Sequence, residues 1–271
     1  MKKLLSILLA ALMALAVTAC GNEPADVPAE KTDFETIAES GKLKIGFTYY
    51  EPMNYIDTDG NFVGFETEFA AAVAEKLGLE PEFVEIEWAA KLMDLKSRNI
   101  DCIWNGMTVT DEVTSAADVS ASYLKNFQVV VIRADKLDTY KTTADLADKT
   151  VEAEAGSAGE ATITAEENLS KADYVSVTKQ TDALPEVLTG ACDAAVLDYV
   201  LANALVGKGD FKDLAVIPDL QLSVEEYAAA FRKDSDLTAK VNEAMDAMIQ
   251  DGSLAALAEK YGLSAQLIAN Q

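Results

Sequence analysis

The sequence predicts an α/β protein built as two lobes, and three observations carry that prediction. From Leu43 onward, apolar segments of strand length alternate with segments of helix length, the order that builds parallel-dominated sheets flanked by helices. The alternation starts afresh after FQVVVIRA (residues 127–134), an uninterrupted apolar run. One unit, a helix followed by Asp, an apolar strand and a polar turn, occurs on both sides of that run, as SRNIDCIWNGMT and LTGACDAAVLDY.

Each element has a local reason. KLKIGFTYY reads as a strand of near-alternating character, and NYIDTDGNFVGF places Asp59-Gly60 between two short apolar runs, a hairpin signal. ETEFAAAVAEKLG carries Phe69, Val73 and Leu77 on one face and stops at Gly78, so it reads as an amphipathic helix. EFVEIEW is a strand, AAKLMDLKSRN a helix and IDCIW a strand. After residue 134, TTADLADK reads as a short helix, TVEAEA as a strand and GSAGEATITAEENL as a glycine-opened helix. YVSV, CDAAVLD and DLAVIPD are strands. Between them lie the helices TDALPEVLTG, stopped by Gly190, and YVLANALVG. Residues 235–263 are helical, punctuated by Gly252 and Gly262.

The N-terminus is read separately. MKKLLSILLAALMALAVTAC has Lys2 and Lys3, an apolar run and small residues before Cys20, the three-part form of a secretory signal over residues 1–19. Its apolar part is short for a membrane span. Residues 20–32 are polar, include two prolines and lack an apolar period, which predicts a spacer.

Composition excludes several chemistries. The 271 residues contain no histidine, which removes Ser-His-Asp and Cys-His catalysis and disfavours a zinc site; no cofactor and no metal are expected. A formal net charge of −24 repels nucleic acid and anionic lipid headgroups. Cys102 and Cys192, each beside an Asp that leads into an apolar strand, read as small buried hydrophobes in different lobes, not as a disulfide. In open α/β sheets ligands collect beyond the carboxyl ends of strands, which directs attention to residues 105–110, 156–159 and 198–199 and to YYEPMNY.

At these residues the chain resembles the extracellular solute-binding proteins of ABC importers, specifically the polar amino acid-binding family. The matching motifs are GFTYYEPMNY, DTDGNFVGFETEFAAAVAEKLG, IDCIWNGMTVTDE, VEAEAGSAGEA, LTGACDAAVLD, FRKDSDL and AMIQDGSLAALAEKYG. The resemblance covers residues 43–263 approximately. It implies a periplasmic-binding-protein-like fold of type II, with a ligand cleft between lobes and two crossing hinge strands. Lobe 1 would comprise 33–126 and 228–271, lobe 2 would comprise 127–227, and the hinges would lie near 125–128 and 226–229. Val17-Thr18-Ala19-Cys20 resembles a lipobox, which implies lipidation of Cys20 and an extracellular monomer anchored on the outer face of the bacterial cytoplasmic membrane. The implied partners are a small amine-bearing solute and the membrane permease of the importer.

The implied ligand-binding set is Tyr50, Glu51, Trp88, Asn105, Gly106, Met107, Thr108, Ser157, Ala158 and Asp198. Asp198 matches the aspartate that takes an α-ammonium, although an Asp there would also cap the helix YVLANAL. Gly106 and Thr108 match positions that offer a backbone group and a hydroxyl, while Thr108 with Asp111 also fits a capping box. Tyr50 and Trp88 match positions that pack on the ligand's side chain, with core burial an equal alternative for Trp88. Trp104 is assigned to the core and Glu66 to a helix start; Asn126 and Gln128 could reach into the cleft.

One departure stands out. Most members of the family carry an Arg where this chain has Val113, and often a Thr where it has Ala158, and both bind the ligand's α-carboxylate. The backbone N–H groups of Gly156, Ser157 and Ala158, with Lys125 or another base, could replace them, or the solute lacks a free α-carboxylate. Other readings are a dehydratase-like enzyme with Glu51 or Asp198 as base, a sensory domain, and a scaffold that has lost binding.

Overall fold

The computed structural model describes residues 31–268; the signal segment, Cys20 and nearly all of the spacer lie outside them. The strands, in chain order, are β1 (Lys42–Phe47), β2 (Tyr55–Ile56), β3 (Phe62–Val63), β4 (Glu80–Glu85), β5 (Cys102–Ile103), β6 (Ala117–Val119), β7 (Leu124–Arg133), β8 (Thr150–Glu154), β9 (Asp173–Val177), β10 (Ala194–Asp198), β11 (Leu214–Tyr227) and β12 (Ala230–Arg232). They form one five-stranded sheet of order β4-β1-β5-β12-β6, a second of order β11-β7-β10-β8-β9, and the hairpin β2-β3.

Each sheet has a parallel half and an antiparallel half, which corrects the parallel-dominated expectation. β1 pairs in parallel with β4 and β5, and β8 pairs in parallel with β9 and β10. β12 lies antiparallel to β5 and β6, while β7 lies antiparallel to β10 and β11. β6 and β12 carry no sequence signal, because each is three residues long, too short to display a period of two.

The chain passes from the first sheet to the second through β7 and returns through β11. These strands pair from Leu214↔Arg133 to Tyr227↔Leu124, with two irregularities near Gln221. β11 runs 14 residues, well beyond the DLAVIPD segment expected, because pairing with β7 continues into polar residues. From Tyr227 the chain enters β12, so the last helices, Leu237–Gln250 and Ser253–Lys260, follow a strand of the first sheet.

The helices Phe65–Lys76, Ala158–Ala165, Ala183–Thr189 and Tyr199–Leu205 form where periodicity and stops place them. TTADLADK forms only a 3-10 turn over Thr143–Leu146. Two further helices, Asp33–Ser40 and Asp111–Ala116, were not expected. The first has a capping box of Thr32 and Glu35 and docks its Asp33 on buried Arg232. Trp104 is fully buried, with the Phe69 ring edge-on at 5.1 Å, which agrees with its assignment to the core. Cys102 and Cys192 are buried free thiols, as their apolar settings predict.

Arg232 ties three segments together. Its Nε donates to both Asp33 oxygens at 3.0 Å, its Nη2 to Asp101 Oδ1 at 2.9 Å and its Nη1 to the Ile100 carbonyl at 2.7 Å. β12 is thereby fixed against the start of β5, directly before the loop that begins at Trp104.

Candidate functional site

A cavity of about 300 Å³ opens where the carboxyl ends of β1, β5, β8 and β10 and the segment after β4 converge. Of the ten residues expected at a ligand site, nine line it: Tyr50, Trp88, Asn105, Gly106, Met107, Thr108, Ser157, Ala158 and Asp198. Glu51 is not among the lining residues. It is half-buried, and burial pushes its carboxyl up while Lys208 opposes the shift. Lys91, Thr110, Asp111, Glu112, Val113, Glu154, Gly156, Ala161 and Gln180 complete the wall.

Asp198 ends β10, and three side-chain amides converge on it. Its Oδ1 accepts from Asn126 Nδ2 at 2.7 Å and from Gln128 Nε2 at 2.5 Å, and its Oδ2 accepts from Gln180 Nε2. Gln180 Oε1 in turn accepts the Asp198 backbone N–H at 3.0 Å. Asp198 occupies the cap position of the helix Tyr199–Leu205, but its side chain makes no capping hydrogen bond. The capping alternative is therefore set aside, and the carboxylate is held by neutral donors that need no charge to pair with it. Asn126 and Gln128 also donate to Glu225 Oε1, the latter at 2.7 Å.

The loop after β5 is fixed by residues distant in sequence. Asn105 Oδ1 accepts from the Thr48 N–H at 3.0 Å and the Thr48 hydroxyl at 2.7 Å, and its Nδ2 donates to the Thr48 carbonyl at 2.9 Å. The Gly106 N–H donates to Glu66 Oε2 at 2.6 Å, so of the backbone groups at this position the carbonyl is the one left for a ligand. Gly106 has φ +55°, and a Cβ on it would stand 2.5 Å from the Tyr50 ring, so glycine alone lets the loop close on Tyr50. The Tyr50 hydroxyl meets the Tyr227 hydroxyl at 2.8 Å. Glu66 lies in the first turn of its helix, as expected, but fully buried. Its other oxygen accepts from the Tyr123 hydroxyl, and burial pushes the carboxyl up to about 7.

Thr110, not Thr108, caps the helix Asp111–Ala116, accepting the Val113 N–H at 3.2 Å. Thr108 is thereby left on the cavity wall. Val113, where the family pattern has its guanidinium, is 3% exposed and packs with Trp88 and Met107. Trp88 is buried, 7% exposed, and also lines the cavity.

Of the three backbone donors expected to hold an anion at the start of the helix Ala158–Ala165, those of Gly156 and Ser157 are taken by the protein itself and that of Ala158 is left on the cavity wall. The Gly156 N–H donates to Glu160 Oε2 at 2.6 Å, the Ser157 N–H to the Glu154 carbonyl at 3.2 Å, and the Glu160 N–H to Ser157 Oγ at 3.2 Å.

Three chemically important wall residues were missed. Glu154 ends β8, 2% exposed, and burial, reinforced by the Asp198 charge, pushes its carboxyl up to about 8. The strand-end rule applied to TVEAEA would have found it. Lys91 donates to the Gly156 carbonyl at 2.8 Å and lies 4.8 Å from the centre of the Trp88 ring, and burial lowers its pKa. Gln180 arrives from the loop after β9, with no local signal that it reaches Asp198. Glu225, which shares the amides with Asp198, is pushed up to about 8 by burial and by that charge. Among the described residues, no group of three or more Cys, Asp or Glu side chains stands close enough to hold a metal ion. No described helix is long and apolar enough to cross a membrane.

Comparison with known proteins places this geometry. Residues 43–264 match the family of bacterial extracellular solute-binding proteins, family 3. The chain is 32% identical to the arginine-binding extracellular protein ArtP of Bacillus subtilis, over 96% of this chain and 98% of that one. It is 30% identical to the L-cystine-binding protein TcyJ of Escherichia coli K12, over 83% and 84%. The crystal structure of the ancestral amino acid-binding protein AncCDT-1, a precursor of cyclohexadienyl dehydratase, superposes with a TM-score of 0.76 at 28% identity, covering 84% of this chain and 98% of that one.

Proposed function

The chain belongs to family 3 of the bacterial extracellular solute-binding proteins, and we propose that it captures a small amine-bearing solute in the cavity between Tyr50 and Asp198 and delivers it to an ABC importer permease. As the substrate-binding component of such an importer, it meets its ligand outside the cell. In this reading it acts as a monomer, cleaved before Cys20 and lipidated there, on the outer face of the cytoplasmic membrane. Lobe 1 comprises residues 33–126 and 228–271 and lobe 2 comprises 127–227. They close over the solute by hinge motion where β7 and β11 connect the two sheets.

One observation carries the reading: a carboxylate at a strand end, on the wall of a cavity of small-molecule size, held in place by three amides. Such a group takes an ammonium or guanidinium by charge-assisted hydrogen bonds. Trp88 and Tyr50 supply aromatic surface beside it. Tyr50, Trp88, Thr108 and Asp198 are therefore assigned to the ligand. Asn105 is assigned to holding its loop, because Thr48 takes three hydrogen bonds with it.

The experiment is mass spectrometry of solute carried through gentle purification, followed by a thermal-shift panel of amino acids and amines. A single amine-bearing species that also raises the melting temperature is the expected result. A protein that carries no solute and is stabilised by none of them refutes the assignment. A dehydratase-like second reading draws on the similarity to AncCDT-1 and on Glu154, a carboxyl that holds its proton at neutral pH. A guanidinium clamp for an acidic substrate is not among the lining residues, so binding is the reading adopted. Turnover of a cyclic acid by the purified protein would reverse that choice.

A further inference from the structure

Two donors on the cavity wall are uncommitted. The Ala158 N–H, at the start of the helix Ala158–Ala165, has no acceptor among the described residues, and Ala158 lines the cavity. First-turn N–H groups have no partner within their own helix, and the helix dipole favours an anion beside them. The Thr108 hydroxyl, on the wall after β5, is likewise without a partner among the described residues. Both donors are neutral, and the side chains of Val113 and Ala158 contribute only carbon.

A positive charge reaches the same wall from another segment. Lys91, which opens the helix Lys91–Lys96 after β4, is 8% exposed and lines the cavity. Its Nζ stands 2.8 Å from the Gly156 carbonyl, 3.4 Å from the Trp88 carbonyl and 4.8 Å from the centre of the Trp88 ring. An ammonium carries three N–H groups, and these two carbonyls occupy at most two of them. Glu112, Glu154 and Glu160 act on Lys91 through space, but none of them forms an ion pair with it. A buried ammonium held only by neutral carbonyls is costly, and an anion placed beside it offsets that cost. The place suits the guanidinium that is missing. Trp88, under the Lys91 ammonium, packs in one cluster with Val113, and the carbonyl that Lys91 holds lies two residues before Ala158.

The strand register sets the Asp198 carboxylate next to this corner. Ala194↔Val151 and Ala195↔Glu152 put Leu197 opposite Glu154, so Asp198 comes level with the turn that leads into Ser157 and Ala158. Neighbouring strand ends thus offer a grip for an anion and a grip for a cation, as the adjacent carboxylate and ammonium of an α-amino acid require.

Resting on the receptor reading above, we propose that Lys91 replaces the guanidinium lost at position 113: its Nζ, with the Ala158 N–H and the Thr108 hydroxyl, holds the α-carboxylate of an amino acid whose ammonium lies on Asp198. The contact to the Trp88 carbonyl, the longer of the two, is the one released when the carboxylate arrives.

The common amino acids are screened by thermal shift on the purified protein. The strongest responder is then titrated calorimetrically as the free acid and as its α-carboxamide, which keeps the ammonium and side chain but lacks the negative charge. The parent protein is expected to prefer the acid by roughly tenfold or more, about the worth of one charge-assisted hydrogen bond. Lys91→Met is expected to weaken the acid by that factor and leave the amide within about threefold, which abolishes the preference. A merely structural role would weaken both forms alike. Lys91→Gln keeps a donor for the Gly156 carbonyl without the charge; it is expected to behave in the same way and serves if Lys91→Met does not fold. The proposal is overturned if acid and amide bind the parent equally, if a folded variant keeps the parent's preference, or if only amines without a carboxylate, such as agmatine and cadaverine, stabilise the protein. Each of these results leaves the receptor reading standing; stabilisation by no amino acid and no amine removes both.

Discussion

Replacing Asp198 by Asn changes one atom of the cavity wall and removes its central negative charge. In the unliganded protein, Oδ1 accepts from two amides and Oδ2 from a third. An Asn amide nitrogen fits best at the Oδ2 position, where it faces one donor, and Gln180 must then turn and give up its bond to the residue 198 N–H. That leaves one buried polar group short of a partner, a cost of about 1–3 kcal/mol. Relief of the repulsion that Asp198 exerts on Glu154 and Glu225 offsets part of it, so stability should fall by no more than about 2 kcal/mol. Affinity for a cationic solute should fall much further. Truncating one partner of a buried charge-assisted pair costs about 2–5 kcal/mol, or roughly thirtyfold to several thousandfold in Kd. Titration calorimetry with the solute identified by mass spectrometry measures this, with the melting temperature of the variant as control. A folded Asp198→Asn protein that binds within about threefold of the parent, less than 1 kcal/mol, refutes the role given to this carboxylate.

Two further outcomes follow from buried charges. Arg232→Met leaves Asp33 and Asp101 without their buried partner. Breaking such a pair costs about 3–5 kcal/mol, which for a domain of this size is a melting temperature lower by roughly 6–20 °C. A scan that stays within about 2 °C of the parent would contradict it. The pH dependence has a definite sign. Glu154 and Glu225 keep their protons up to about 8 in the folded, unliganded protein, whereas unfolded carboxyls release them near 4.5. The folded state therefore binds more protons across that window, and stability falls as pH rises through it. A bound cation favours the ionised carboxylates, so the rise in melting temperature it produces should grow from pH 6 to pH 8, approximately. A ligand shift that is flat or shrinking over this range, read by calorimetric scans, would count against cation contact with these groups.

The longer elements were legible in local pattern. The long helices, the Asp59-Gly60 hairpin and the buried strands announce themselves through periodicity, stops and composition, because local propensity and burial agree there. Strands β6 and β12 did not, since three residues carry no period, and their pairing is fixed by β5. The helix Asp111–Ala116 was not read because the capping signal was placed at Thr108, whereas the hydroxyl near the Val113 N–H is that of Thr110. The positions of Val113 and Ala158 were visible in the chain, but whether backbone donors compensate for them was not. That depended on Glu160 folding back onto Gly156 and on the Ser157 N–H turning to the Glu154 carbonyl.

The sequence by itself determined the order of elements, the strand ends that meet at the cavity and the place of Asp198 among them. Those properties follow from neighbours along the chain and from the rule that apolar strands carry their polar turns to one edge. Tertiary structure alone decided which hydrogen-bonding groups remain unpaired. Glu154, Lys91, Gln180 and Glu225 come from separate segments, and their partners are fixed only when both sheets are in place. Charge acts through distance in space, and burial multiplies its effect, so the electrostatic character of the cavity could not be read one residue at a time.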